Sequence, residues 1–176
     1  MAEPQPAQDR LQPALLDRLK DDEPGRLQES DDARVLSKRR IRESVLRDLA
    51  WLFNATQLEA VNPLAKAPHV RRSVLNFGLP AMSGQTGSSF DVTDLRRAIR
   101  EAILNFEPRI LASTLEINQL EKDGEFVNAT HNVIGVEIHG YLWAQPDPIE
   151  FLARTDFDLE TGKVRITDLN SSQGSG

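Results

Sequence analysis

The hydrophobic period of this chain changes at Pro108, and that change limits the fold more than any composition figure does. Upstream of it, apolar residues recur at steps of three and four; downstream they alternate. Ile41, Val45, Leu49 and Leu52, flanked by Leu46 and Phe53, make one helical stripe, with Ser37 in place to cap it. Leu95, Ile99, Ala102, Ile103 and Phe106 make a second, with Asp91 as its cap. Pro108 stops that helix, because the residue before a proline avoids helical dihedrals. Leu115 and Ile117, weakening toward Leu120, then suggest a short strand. Val136, Ile138, Gly140 and Leu142 alternate with polar or amphipathic neighbours, as do Phe151, Ala153, Thr155, Phe157 and Leu159. Glu160 to Lys163 reads as a hairpin loop in which Gly162 supplies a positive φ, returning into Val164 and Ile166. The expected architecture is α+β, with N-terminal amphipathic helices packed on a C-terminal antiparallel β-meander.

Around that unit, taken as residues 36–169, the chain divides by composition. Residues 1–10 and 170–176 are rich in Pro, Gln, Ser and Gly without apolar anchors, so burial cannot offset their ordering entropy and both are expected to be disordered. Residues 11–35 read as a short docking helix and linker. Leu11, Leu15, Leu16 and Leu19 lie at helical spacing before Asp21, Asp22, Glu23, Pro24 and Gly25 end it. So short a helix is marginal alone and needs a surface to cover its leucines. Between the two long helices, residues 54–90 are broken by Pro63, Pro68, Gly78, Pro80, Gly84 and Gly87. Ser73 to Pro80 within it is apolar enough to be buried, with helix and strand inseparable.

Acids outnumber bases 27 to 21, for a net charge of -6, which argues against a nucleic-acid partner. With no cysteine, disulfides, thiolate metal sites and a cysteine nucleophile are all excluded. His69, His131 and His139 show no i, i+4 pairing for a metal, and Gly84 to Gly87 lacks the Lys-Ser/Thr of a phosphate loop, so no cofactor is expected. His139 is expected to be an exposed pairing residue on the polar face of its strand. Residues 1–6 lack the basic and apolar regions of an export signal, and no apolar run approaches the ~18 residues that would span a bilayer. A cytoplasmic protein without direct membrane insertion is expected. The polar face of the first helix carries Lys38, Arg39, Arg42 and Arg47, a pattern that most often is simply solvated.

Two features suggest protein contacts. Glu107, Pro108 and Arg109 stand where helix gives way to sheet, and proline stiffens that corner, so the two charges are expected to project as a preformed plug for a partner's groove. Val164, Arg165 and Ile166 form a last short strand with no apolar segment after it, guarded by Lys163, Arg165 and Asp168. Its edge is a candidate for accepting a partner strand.

Glu107, Pro108 and Arg109 after an amphipathic helix, with Asn76 to Pro80 upstream, resemble the Glu-Pro-Arg signature of the gp25-like baseplate wedge family of contractile tails. Leu15 to Leu19, Leu36 to Asn54, Arg72 to Gly78, Gly140 to Pro146 and Arg154 to Gly162 are similar to the TssE branch of that family, from type VI secretion systems. The resemblance spans about residues 11–168. It implies a gp25-like fold and a non-enzymatic assembly role: a subunit held by TssF and TssG, joined to the TssK complex, and sited where the TssB/TssC sheath begins. It further implies recruitment to the inner membrane as part of the baseplate, and assigns partner binding to Glu107, Pro108 and Arg109.

A peptidoglycan hydrolase is the alternative, since some relatives carry a lysozyme label. Glycoside hydrolysis needs two facing carboxyl groups, one held protonated. Glu107 has Arg109 beside it, which favours the ionised form. Asp156 and Asp158 share a strand face at about 7 Å by strand rise, a spacing common on exposed strands. A free adaptor for many peptides has no pocket signature to support it.

Overall fold

Helix α1 (Lys38–Asn54) forms where the first stripe predicts it, and Ile41, Val45, Leu49, Leu52 and Phe53 are all buried. The computed structural model describes residues 38–81, 91–120, 133–144 and 147–170. The proposed cap Ser37, the docking helix with Leu15, Leu16 and Leu19, the Gly84–Gly87 loop, His131 and residues 171–176 lie outside the described residues. After α1 come a 3-10 turn, η1 (Leu58–Ala60), one helical turn, α2 (Pro68–Arg71), and a second 3-10 turn, η2 (Val74–Asn76). Helix α3 (Val92–Phe106) buries Leu95, Ile99, Ala102 and Ile103. Its cap is Asp91, whose carboxylate accepts from the Thr93 N–H at 2.7 Å. That backbone bond holds the Asp91 carboxyl below its ordinary range. The cap therefore works above the usual Asp pKa and is lost as pH falls through the lowered value.

Among the described residues, four antiparallel strands follow in the order β1 (Glu116–Gln119), β2 (Val133–Leu142), β3 (Ile149–Asp158) and β4 (Val164–Asp168). In register, Ile117 faces Ile138, Ile138 faces Ala153 and Thr155 faces Ile166, so one face of the sheet is apolar. That face, α1 and α3 share one core, in which the Phe53 and Phe157 rings lie 6.1 Å apart. The other face carries Glu116, Glu137, His139, Tyr141, Glu150, Arg154 and Arg165, each half-buried or exposed. His139 pairs there as expected, its Nε2 3.2 Å from Glu150 and its Nδ1 3.9 Å from Glu116. The β3–β4 loop turns through Gly162 at φ 68°, with Asp158 accepting the Glu160 and Thr161 N–H groups.

The segment Ser73 to Pro80 departs from expectation. It is neither a strand nor wholly buried: Val74 and Leu75 sit on η2 and face solvent, while Asn76 and Leu79 turn inward. Periodicity missed this because a three-residue turn has no repeat to detect. Leu79 closes the excursion by bonding back, its N–H donating to Ala55 O and its carbonyl accepting from Gln57 N–H, each at 2.9 Å. Gly78, at φ 129°, permits that closure, since a Cβ there would run into the Ala55 carbonyl.

Thr155 is the polar exception in the sheet's apolar face. It is fully buried, and its hydroxyl has no hydrogen-bond partner. Thr155→Val keeps the branched shape and removes an unsatisfied group, so it should stabilise the fold by about 1 kcal/mol. The check is a urea titration: the midpoint rises at unchanged slope. A lower midpoint would mean that the hydroxyl contributes a bond to the native state.

Candidate functional site

The corner after α3 is built inward. Glu107 N–H still donates to Ile103 O at 2.8 Å, as the last bond of the helix, and the Glu107 side chain then folds under the chain to 3% exposure. Arg109 comes back over it. Its Nε meets Glu107 Oε1 at 2.6 Å, and its Nη2 reaches Glu107 Oε2 and Asp48 Oδ2 at 2.5 Å each. Nη1 donates to Ser44 Oγ at 3.0 Å, and Ser44 in turn donates to Ile41 O within α1. The Arg109 backbone points the other way, its carbonyl accepting from Trp143 N–H at 2.8 Å just past β2. Leu111 N–H donates to Tyr141 O alongside. One residue thus joins α1, the end of α3 and the end of β2.

Partial burial works to lower the pKa of Arg109, but the hydrogen bonds and charges of Glu107 and Asp48 outweigh it and hold the guanidinium above its ordinary value. The cation is fixed at any accessible pH.

The projecting plug is therefore corrected. Glu107 is turned inward and Arg109 is mostly engaged, leaving Pro108 as the exposed member of the three. The expectation failed because a Glu and an Arg flanking a proline were read as an isolated surface pair, without the carboxylate that arrives from another helix. Ser44 and Asp48 complete the corner and were missed. Their signal was present: a Ser and an Asp four residues apart, bordering the Ile41–Leu52 stripe. The basic face of α1 is likewise partly engaged. Arg42 donates to Glu150 O, and Arg47 pairs with Asp48 and lies over the Trp51 ring at 5.3 Å.

Both edges of the sheet are also met by side chains. Asp158 N–H donates to Lys163 O, so by alternation Arg165 and Thr167 turn their backbone groups toward β3 while Val164 and Ile166 face outward. Asn54, the last residue of α1, closes a two-way bond on Val164. Its Nδ2 donates to Val164 O at 2.9 Å, and Val164 N–H donates to its Oδ1 at 3.0 Å. Ile166 and Asp168 face outward by the same alternation, and the backbone of Ile166 meets no described residue. At the β1 edge, Arg96 Nε donates to Ile117 O at 2.9 Å and Arg100 Nη1 to the carbonyl of Leu115, just before the strand, at 2.7 Å. Side chains from α1 and α3 thus blunt both edges, which an exposed sheet requires.

The carboxylates considered for hydrolysis hold structural bonds instead. Both Glu107 oxygens are taken by Arg109, Asp156 accepts from Arg154 Nε, and Asp158 accepts the two backbone N–H groups of its turn. Those turn bonds, with Thr161 foremost, lower the Asp158 pKa, the opposite of what a general acid needs.

The family model for baseplate wedge protein gp25 matches residues 39–147, from the first turns of α1 through the corner to the end of β2. The chain belongs to that family. No curated protein and no solved structure matches it. As a gp25-family chain it is a wedge-like structural component that associates with other baseplate parts. No helix among its described residues is long and apolar enough to cross a membrane.

Glu107→Ala in this gp25-family chain should destabilise the fold by about 2–3 kcal/mol. That is less than the full cost of breaking a buried pair, because Arg109 keeps Asp48 and some solvent. Thermal melting checks this, and an unchanged transition would show that the corner holds nothing together.

Proposed function

We propose that this chain is the TssE-type subunit of a type VI secretion baseplate, held in the wedge by TssF and TssG, joined through them to the TssK complex, and seated where the TssB/TssC sheath begins. On this reading the protein is cytoplasmic and reaches the inner membrane as part of the baseplate. The observation that carries it is the Arg109 corner inside the matched stretch. Glu107, Ser44 and Asp48 fix the backbone on both sides of Pro108, so that an exposed, conformationally restricted turn is offered to a neighbour. Pro108 and the open part of Arg109 supply the contact, and Glu107 supports it from beneath. Leu15, Leu16 and Leu19 belong to the same proposal as a second contact with the wedge. Co-expression with TssF and TssG, followed by size-exclusion chromatography, is the test. A single peak holding all three supports the reading, whereas a TssF–TssG peak from which the co-expressed chain is excluded overturns it.

We further assign sheath initiation to the free side of β4, where main-chain bonds would recruit a strand from TssB or TssC. Val164 is engaged by Asn54, so Ile166 is the residue whose N–H and carbonyl serve this contact. Ile166→Pro should leave wedge binding intact and block sheath growth. Arg165→Pro would instead cut a bond of the β3–β4 ladder and lower stability. Normal sheath polymerisation on folded Ile166→Pro baseplates, followed by electron microscopy, would exclude this edge.

A further inference from the structure

Residues 55–79 leave the core after α1 and return to it at Leu79, and the tip of that excursion is apolar, exposed and held in one conformation. Val74 and Leu75 are 79% and 66% exposed. Single exposed apolar residues are ordinary, but here the turn that bears them is stapled from several directions. Ser73 Oγ accepts from Leu75 N–H at 3.3 Å and donates to Val70 O at 2.8 Å. Asn76, 5% exposed, accepts from Glu59 N–H with its Oδ1 at 2.9 Å and donates to Arg71 O with its Nδ2 at 3.0 Å. The Arg71–Glu59 pair, at 2.8 Å, ties η1 to α2 beside it. Phe77 then packs edge-on against Phe106, with centroids 5.3 Å apart, and Gly78 closes the base. Presenting two apolar side chains to water on a rigid turn gains nothing for folding. For binding, the ordering cost is already met.

The charge carried by the excursion indicates what it fits. In a chain of net charge -6, residues 55–80 contain one acid, Glu59, against Lys66, Arg71 and Arg72. Glu59 is already spent on Arg71, while Lys66, His69 and Arg72 are exposed. We propose that Val74 and Leu75 form a docking knob that enters an apolar groove with an acidic rim on a neighbouring wedge subunit, Lys66 and Arg72 meeting the rim. This rests on the baseplate reading above and adds a further contact surface to it, separate from the Arg109 corner and from Leu15, Leu16 and Leu19.

Because the chain has no cysteine, Leu75→Cys creates a unique attachment point for a photoreactive maleimide. The labelled full chain is co-purified with TssF and TssG and irradiated. In parallel, Val74→Asp/Leu75→Asp and Lys66→Glu/Arg72→Glu are titrated against the TssF–TssG complex. The expected result is a cross-link to one wedge subunit at an apolar site flanked by Asp or Glu, and binding weakened at least about tenfold by Val74→Asp/Leu75→Asp. The charge reversal should weaken binding most at low salt. Melting of each variant should match the parent, as expected for exposed positions. A cross-link to residues 1–37 of the same chain or to a second copy overturns the occupant, and undiminished binding without a cross-link overturns the knob. If the unmodified chain binds neither subunit, the TssE-type reading itself fails, and with it the occupant named here. That result is distinguishable because no substitution is involved.

Discussion

Arg109 holds together parts of the chain that share little else outside the apolar core. Its guanidinium meets Glu107 at the end of α3 and Ser44 and Asp48 on α1, while its carbonyl meets Trp143 at the end of β2. Apolar packing orients two helices on a sheet only loosely, since hydrophobic attraction has no direction. Hydrogen bonds to a planar cation do have direction, so the corner sets how α1 and α3 meet. The same bonds explain why a carboxylate as buried as Glu107 is tolerated: its oxygens are occupied by a cation and by the Arg109 N–H.

The sheet poses a second constraint. Where α1 and α3 pack on its apolar face, the edges of the sheet are closed by side chains from those two helices. Arg96 and Arg100, one helical turn apart on α3, reach the carbonyls of Ile117 in β1 and of Leu115 just before it. Asn54, at the end of α1, mimics a neighbouring strand for Val164. Among the described residues, the backbone of Ile166 is left without such a partner, so the unguarded part of the β4 edge is short.

These two devices and the stapled excursion after α1 share a physical design. In each, a polar side chain from one element fixes the backbone of another: Arg109 and Asp48 at the corner, Asn54 at β4, Asn76 at η2. The backbone at each of these places is thereby fixed by the fold itself. For a part of a baseplate wedge this matters, because ordering lost on assembly would be subtracted from the affinity of every contact.

Elements with a repeat were legible in the sequence. The stripes of α1 and α3, the Asp91 cap, the stop at Pro108, the alternation of β2 and β3 and the Gly162 turn each follow from local spacing or a local steric rule, and each occurs as read. Local rules also placed His139 on the polar face. Contacts between residues far apart in sequence were not legible: Asp48 with Arg109 across 61 residues, Asn54 with Val164 across 110, Asn76 with Glu59 across 17. Those contacts reversed the reading of Glu107 from projecting to buried, and the β3–β4 register turned the backbone groups of Arg165 toward β3. They also left Val74 and Leu75 outside a core they had been expected to join. The sequence by itself determined which segments are helix and which are strand, because periodicity is a property of consecutive residues. Which charges are bolts and which backbone groups remain open was decided by tertiary structure, because a charge or a hydrogen-bonding group has no fixed role until its partner is brought to it.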